Sequence, residues 1–210
     1  MYQRLTEVDD LIRPDHHHLS NTDICYFFGE YTARKGFHHS ATNQLISNFK
    51  KCPSRVNQFD YRYKNQAIST IANELCSHIN PATLTFVPVP PSKSKDHELY
   101  DDRLQKVLIR YSQLSNGVDW REIVFQSTST RAAHSSDERL TLEELKALYR
   151  IDQTTLQGVR DTIVVFDDVL TTGCHFKAVK QVLTEAFPNK SVVGIFIARR
   201  VPEADPLDIF

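Results

Sequence analysis

Three short stretches of the chain are apolar almost without a break: 83–90 (TLTFVPVP), 162–166 (TIVVF) and 191–198 (SVVGIFIA). Runs of this length, rich in β-branched and aromatic residues, predict strands covered on both faces of a parallel sheet. Elsewhere the apolar residues fall at helical spacing. Ile68, Ile71, Ala72, Leu75 and Ile79 form one stripe over 65–79, and Leu104, Val107, Leu108 and Tyr111 form another within 98–114. Phe176, Val179, Val182, Leu183 and Ala186 form a third, which Pro188 and Asn189 stop. Shorter signals predict a strand over 23–32 as the first of a small hairpin, a short helix over 41–50, a strand over 122–126 and a helix over 141–149. Strands alternating with helices imply a right-handed, mainly parallel α/β domain over 81–210, whose sheet the 191–198 strand closes, with 1–80 as an N-terminal cap or hood. The chain shows no internal repeat.

The most informative turn follows the strand at 162–166. Asp167 and Asp168 fall at its carboxyl end, where open α/β sheets place their ligands, and two adjacent carboxylates can accept hydrogen bonds from a vicinal diol such as a ribose. Val169 and Leu170 carry the chain over. Thr171 and Thr172 supply hydroxyl donors, and Gly173 permits close backbone approach before a helix that starts near Cys174. Free amides and the positive dipole end at such a start suit a phosphate dianion. The plainer alternative is a strand–turn–helix whose acids only cap the helix. Capping requires one acid and explains neither the second nor the threonines.

A second turn follows the strand at 83–90. Pro90 and Pro91 stiffen it, Ser92 and Ser94 can donate hydrogen bonds, and Lys93 or Lys95 can neutralise an anion. Taken alone, a basic turn of this kind is a solvated surface loop.

Together the two turns carry a resemblance: IVVFDDVLTTG is similar to the phosphoribosyl-pyrophosphate (PRPP) loop of type I phosphoribosyltransferases. The resemblance implies a Rossmann-like, mainly parallel sheet flanked by helices. It implies that Asp167 and Asp168 hold the ribose hydroxyls, that 169–174, with Thr171, Thr172 and Gly173 foremost, cradle the 5′-phosphate, and that Pro91, Ser92, Lys93, Ser94 and Lys95 meet pyrophosphate. It also implies Mg2+ as cofactor, held mainly by the substrate, and a mobile hood at about 127–140, where Arg131, His134 and Arg139 are candidates to reach the phosphates. The alternative for that interval is a solvated loop followed by a helix. The wording VPVPPSKSK…YDDRL further resembles the ComF branch of competence proteins over about 83–200. Two features depart from that branch: the cysteine zinc ribbon is absent, and Tyr100-Asp101-Asp102-Arg103-Leu104 stands where Arg-Gly-Phe-Asn-Gln is common. Purine-salvage members place an acid where Thr171 stands, which argues against hypoxanthine or guanine salvage.

Composition narrows the rest. Of 210 residues 40% are hydrophobic, enough for a sizeable core. A net charge of −1 without a long basic run predicts no bulk attraction to nucleic acid or acidic membrane, though a local basic patch would still fit. No apolar stretch reaches the roughly 20 residues of a membrane span, and the polar N-terminus is unlike a signal peptide, so a cytoplasmic location is expected. Cys25, Cys52, Cys76 and Cys174 lack CxxC spacing and read as reduced thiols, with Cys174 in a packing role. His16-His17-His18 cannot converge on one ion from an extended segment, where neighbours point to opposite faces. The expected activity is phosphoribosyl transfer to a nitrogenous base with release of pyrophosphate. The alternatives are a non-catalytic PRPP- or nucleotide-binding regulator, or a ComF-like accessory factor in DNA uptake or defence. Relatives in the resembled family often dimerise.

Overall fold

The 162–166 run is the middle of the molecule. In the computed structural model, which describes residues 4–126, 128 and 140–202, it opens the strand β7 (Thr162–Leu170), whose Ile163, Val164, Val165 and Phe166 are all fully buried. β7 lies between β3 (Leu84–Pro88) and β8 (Ser191–Val201), parallel to both. Beyond β3 runs β4 (Asp119–Trp120), and beyond β8 runs β2 (Cys25–Thr32), again parallel. Among the described residues of this sheet, only β1 (Thr6–Glu7), on the outer side of β2, is antiparallel. The fold is therefore α/β, with a mostly parallel six-stranded sheet flanked by helices.

Among the described residues, five α-helices connect the strands: α1 (Ala41–Phe49), α2 (Arg62–His78), α3 (Arg103–Leu114), α4 (Leu142–Leu148) and α5 (Cys174–Ala186). Right-handed crossovers fix their sides. The connections β2–α1–α2–β3 and β3–α3–β4 advance across the sheet in one direction, and α1, α2 and α3 pack in sequence on one face. The connections through α4 to β7 and from β7 through α5 to β8 run the opposite way, and α4 packs on α5 on the other face. Connections diverge in this way only between β3 and β7. That pair of strand ends is the topological switch point, where open α/β sheets bind ligands in the crevice outside the carboxyl ends.

The structure departs from the sequence-based expectations in five places. The 23–32 segment is a strand, but it pairs antiparallel with the preceding Thr6–Glu7 and parallel with β8 instead of opening a hairpin. The 1–80 segment thus shares the central sheet with the rest of the chain. The 191–198 run does not close the sheet: β8 lies inside it, between β2 and β7. The 122–126 signal gives the three-residue β5 (Val124–Gln126), which pairs antiparallel with β6 (Tyr149–Ile151) in a separate two-stranded sheet. Finally, α3 starts at Arg103 and not near 98, because turns at 94–100 close on themselves, with the Leu99 amide bonded to His97 Nδ1 at 3.0 Å and the Tyr100 amide to the His97 carbonyl at 2.9 Å.

The fifth departure opens the site. β7 continues beyond Phe166 to Leu170, so both aspartates lie within the strand. Its ladder with β8 runs to Leu170↔Arg199, but its register with β3 ends at Pro88↔Phe166, and after the Val89 amide reaches the Phe166 carbonyl at 2.9 Å two prolines follow that have no N–H to donate.

Candidate functional site

Successive strand residues point to opposite faces, so Asp167 and Asp168 leave β7 on different sides. Asp168 faces the α1–α3 layer and is 6% exposed. There it meets two cations, Lys50 just after α1 at 2.9 Å and Arg103 at the start of α3 at 2.6 Å. Arg103 reaches back to Asp101 at 2.8 Å, and Asp101 takes the buried Lys64 of α2 at 2.7 Å. The chain Lys50–Asp168–Arg103–Asp101–Lys64 thus holds three cations and two carboxylates, net +1. Burial would push the Asp168 carboxyl up, but the Lys50 and Arg103 charges override it and hold the group well below the usual carboxylate range. The same pairing outweighs burial at Arg103 and keeps its guanidinium charged.

Asp167 has the opposite electrostatics. Burial, followed by the fixed negative charge of Asp168, pushes its carboxyl up to about 7. Its Oδ1 accepts the Asp168 amide at 2.7 Å. Adjacent acids thus differ sharply: one stays ionised, and the other exchanges a proton near neutrality.

The turn that follows is built for an anion. Gly173 caps α5 in the left-handed region, φ 85°, and a Cβ there would lie 2.8 Å from Leu19 Cδ2, so this position requires glycine. No side chain caps α5 and no acid sits in its first turn, so protein carboxylates do not compete for its leading amides. Thr171 is exposed and Thr172 half-buried. Their carbonyls are tied back to the segment 13–19: His16 Nδ1–H donates to the Thr171 carbonyl, and the His18 amide donates to the Thr172 carbonyl at 2.9 Å. Burial holds His16 below its ordinary pKa despite that hydrogen bond, and so in the neutral tautomer that donates from Nδ1. The histidine cluster therefore holds the turn, a role that no local sequence signal announced.

The remaining expected residues divide. Val169 and Leu170 are core side chains that can offer a ligand only backbone, and Cys174 is buried, its thiol pushed up by burial, as packing requires. Pro91, Lys93, Ser94 and Lys95 line a cavity on the β4 side of their turn, and the Ser92 carbonyl accepts from Gln126 Nε2 at 3.1 Å. Lys95 is engaged with Glu122 at 2.7 Å. Arg131, His134 and Arg139 lie outside the described residues, as does most of the expected hood at 127–140. Sequence reasoning missed Lys50 as a partner of Asp168 and noticed Arg103 only as part of a departing segment.

Among the described residues, no group of three or more His, Cys, Asp or Glu side chains converges as a metal cage. With Asp168 bridged by two cations, the protein's own donors do not fit a resident Mg2+. No helix of the described residues is long and apolar enough to cross a membrane. Compared with known proteins, the chain matches no family model and no curated sequence.

Proposed function

We propose that the protein binds PRPP at 167–173 and transfers its phosphoribosyl group to a nitrogenous base, releasing pyrophosphate. One observation carries this reading: at the switch point, two carboxylates on β7 run directly into an uncapped helix start held open by a left-handed glycine. The α5 amides with the Thr171 and Thr172 hydroxyls suit the 5′-phosphate. Asp167 can accept from a ribose hydroxyl on its side of β7, while Asp168, on the other side, holds Lys50 and Arg103 at the strand end. Lys50 and Arg103 bring positive charge to the same strand end. The arrangement asks for no resident metal; Mg2+ would arrive as part of the phosphorylated substrate.

A second reading has an observation of its own. Asp168 is already saturated by Lys50 and Arg103, and a site closed in this way suits a binding regulator that senses PRPP without turnover.

The test is calorimetric titration of PRPP with and without Mg2+ into the wild type, Asp167→Asn/Asp168→Asn and Thr171→Ala/Thr172→Ala. Binding that both variants lose supports the site, and pyrophosphate release with added bases then separates transferase from regulator. A wild type that binds no PRPP sinks both readings.

A further inference from the structure

A second, differently built site lies across the 88–95 turn from the acids. A cavity of about 670 Å3 is bordered by that turn, β4 and β5, within the range typical of small-molecule sites. None of the residues 167–173 lines it.

Its walls are balanced in charge. The cations Lys93, Lys95 and Arg121 are matched by Asp96, Glu122 and Asp152, so the lining is neutral overall. Lys95 is on Glu122, while Arg121 is on Asp119 at 2.9 Å and on the carbonyls of Thr155, Gln157 and Gly158. A dianion entering here would meet Asp96, Glu122 and Asp152 beside the cations.

The walls also have a flat and a polar side. Pro88, Pro90, the half-buried Trp120 and the exposed Phe125 supply planar or rigid apolar surface. Glu122 heads a polar edge: its Oε1 accepts from Gln105 Nε2 at 3.1 Å, and the same amide donates to Tyr100 Oη at 2.9 Å. The Lys95 ammonium outweighs burial and keeps Glu122 ionised, and burial with Glu122 nearby pushes the Tyr100 hydroxyl up to about 12, so it stays protonated. A carboxylate, an amide and a phenol beside aromatic faces match a ligand with a stacking surface and an N–H edge.

We propose that this cavity binds a neutral planar nitrogen heterocycle of the nucleobase class, stacked against Trp120 and Phe125 and met at its N–H edge by Glu122. Its place fits an acceptor: Pro88 lines the cavity, and its register partner Phe166 immediately precedes Asp167, so heterocycle and sugar phosphate would lie on either side of one turn. The acceptor role rests on the proposed transfer; binding does not.

Trp120 is the only tryptophan of the chain, so its fluorescence reports on this cavity. Adenine, uracil and cytosine are titrated into the full-length protein, with ribose 5-phosphate and pyrophosphate as separate arms. Saturable quenching by at least one base is expected, weakened about tenfold or more in Phe125→Ala, as loss of a stacking face implies, and weakened also in Glu122→Gln. Phe125 is exposed, so its variant keeps the core intact. The proposal is overturned if no base quenches, if quenching is unchanged in both variants, or if only the phosphates act. PRPP calorimetry on the same protein separates the claims: a base response without PRPP binding leaves the cavity assigned and removes the transfer, and the converse removes the cavity alone.

Discussion

The acid turn and the cavity flank the same β3 turn and solve opposite problems. At the acid turn, charge is concentrated, buried and paired across three helices; in the cavity, charge is balanced locally around an apolar, aromatic space. The difference shows what burial does to ion pairs. Asp168 is tied to two groups more than sixty residues earlier in the chain, and of these Arg103 is largely desolvated with it, so that pairing is a structural commitment. Lys95 is 60% exposed at its side chain, and its pair with Glu122 can be remade at small cost.

The comparison breaks most directly at Asp168. Asp168→Ala leaves Lys50 and Arg103 without their shared carboxylate, and the expected loss is about 3–5 kcal/mol in denaturant unfolding; a loss below 1 kcal/mol would show that the network does not hold the α1–α3 layer to β7. Next comes the pH dependence. Asp167 has its folded pKa raised from 3.8 to about 7, so the folded state binds its proton more tightly and its contribution is most favourable below about 4, fading as pH rises through 7. Asp168 works in the other direction, its contribution being lost only as pH falls below the ordinary carboxylate range. Unfolding midpoints across pH 4–8 should therefore carry a downward slope from Asp167 that Asp167→Asn removes. The smallest effect belongs to the cavity rim: Lys95→Ala should change stability by less than about 1 kcal/mol, measured in the same unfolding assay, and a larger loss would move that pair into the class of Asp168.

What could be read from the sequence follows physical range. β7, α2 and α5 were legible because their signals are local: a β-branched run, an apolar stripe, a left-handed glycine before a helix. The acid pair was equally legible as a motif. Its electrostatics were not, since Lys50 lies more than a hundred residues away and nothing in 41–50 marks its end as a partner for Asp168. The same holds for His16, whose hydrogen bond to the Thr171 carbonyl joins distant segments, and for β5, too short at three residues to declare which sheet it enters. The start of α3 was misjudged because His97 and Tyr100 close a turn that hydrophobic spacing cannot register.

The place of β2 has a consequence during synthesis. Its neighbour β8 is the last strand of the sheet to be made, so Cys25 must wait for Gly194 before the inner edge of β2 is paired. A nascent chain therefore carries an aromatic strand, CYFFGEYT, with an unmatched edge until β8 has been made. Closing that long loop gives the sheet high contact order, and until β8 is made, premature strand pairing between chains is the competing reaction.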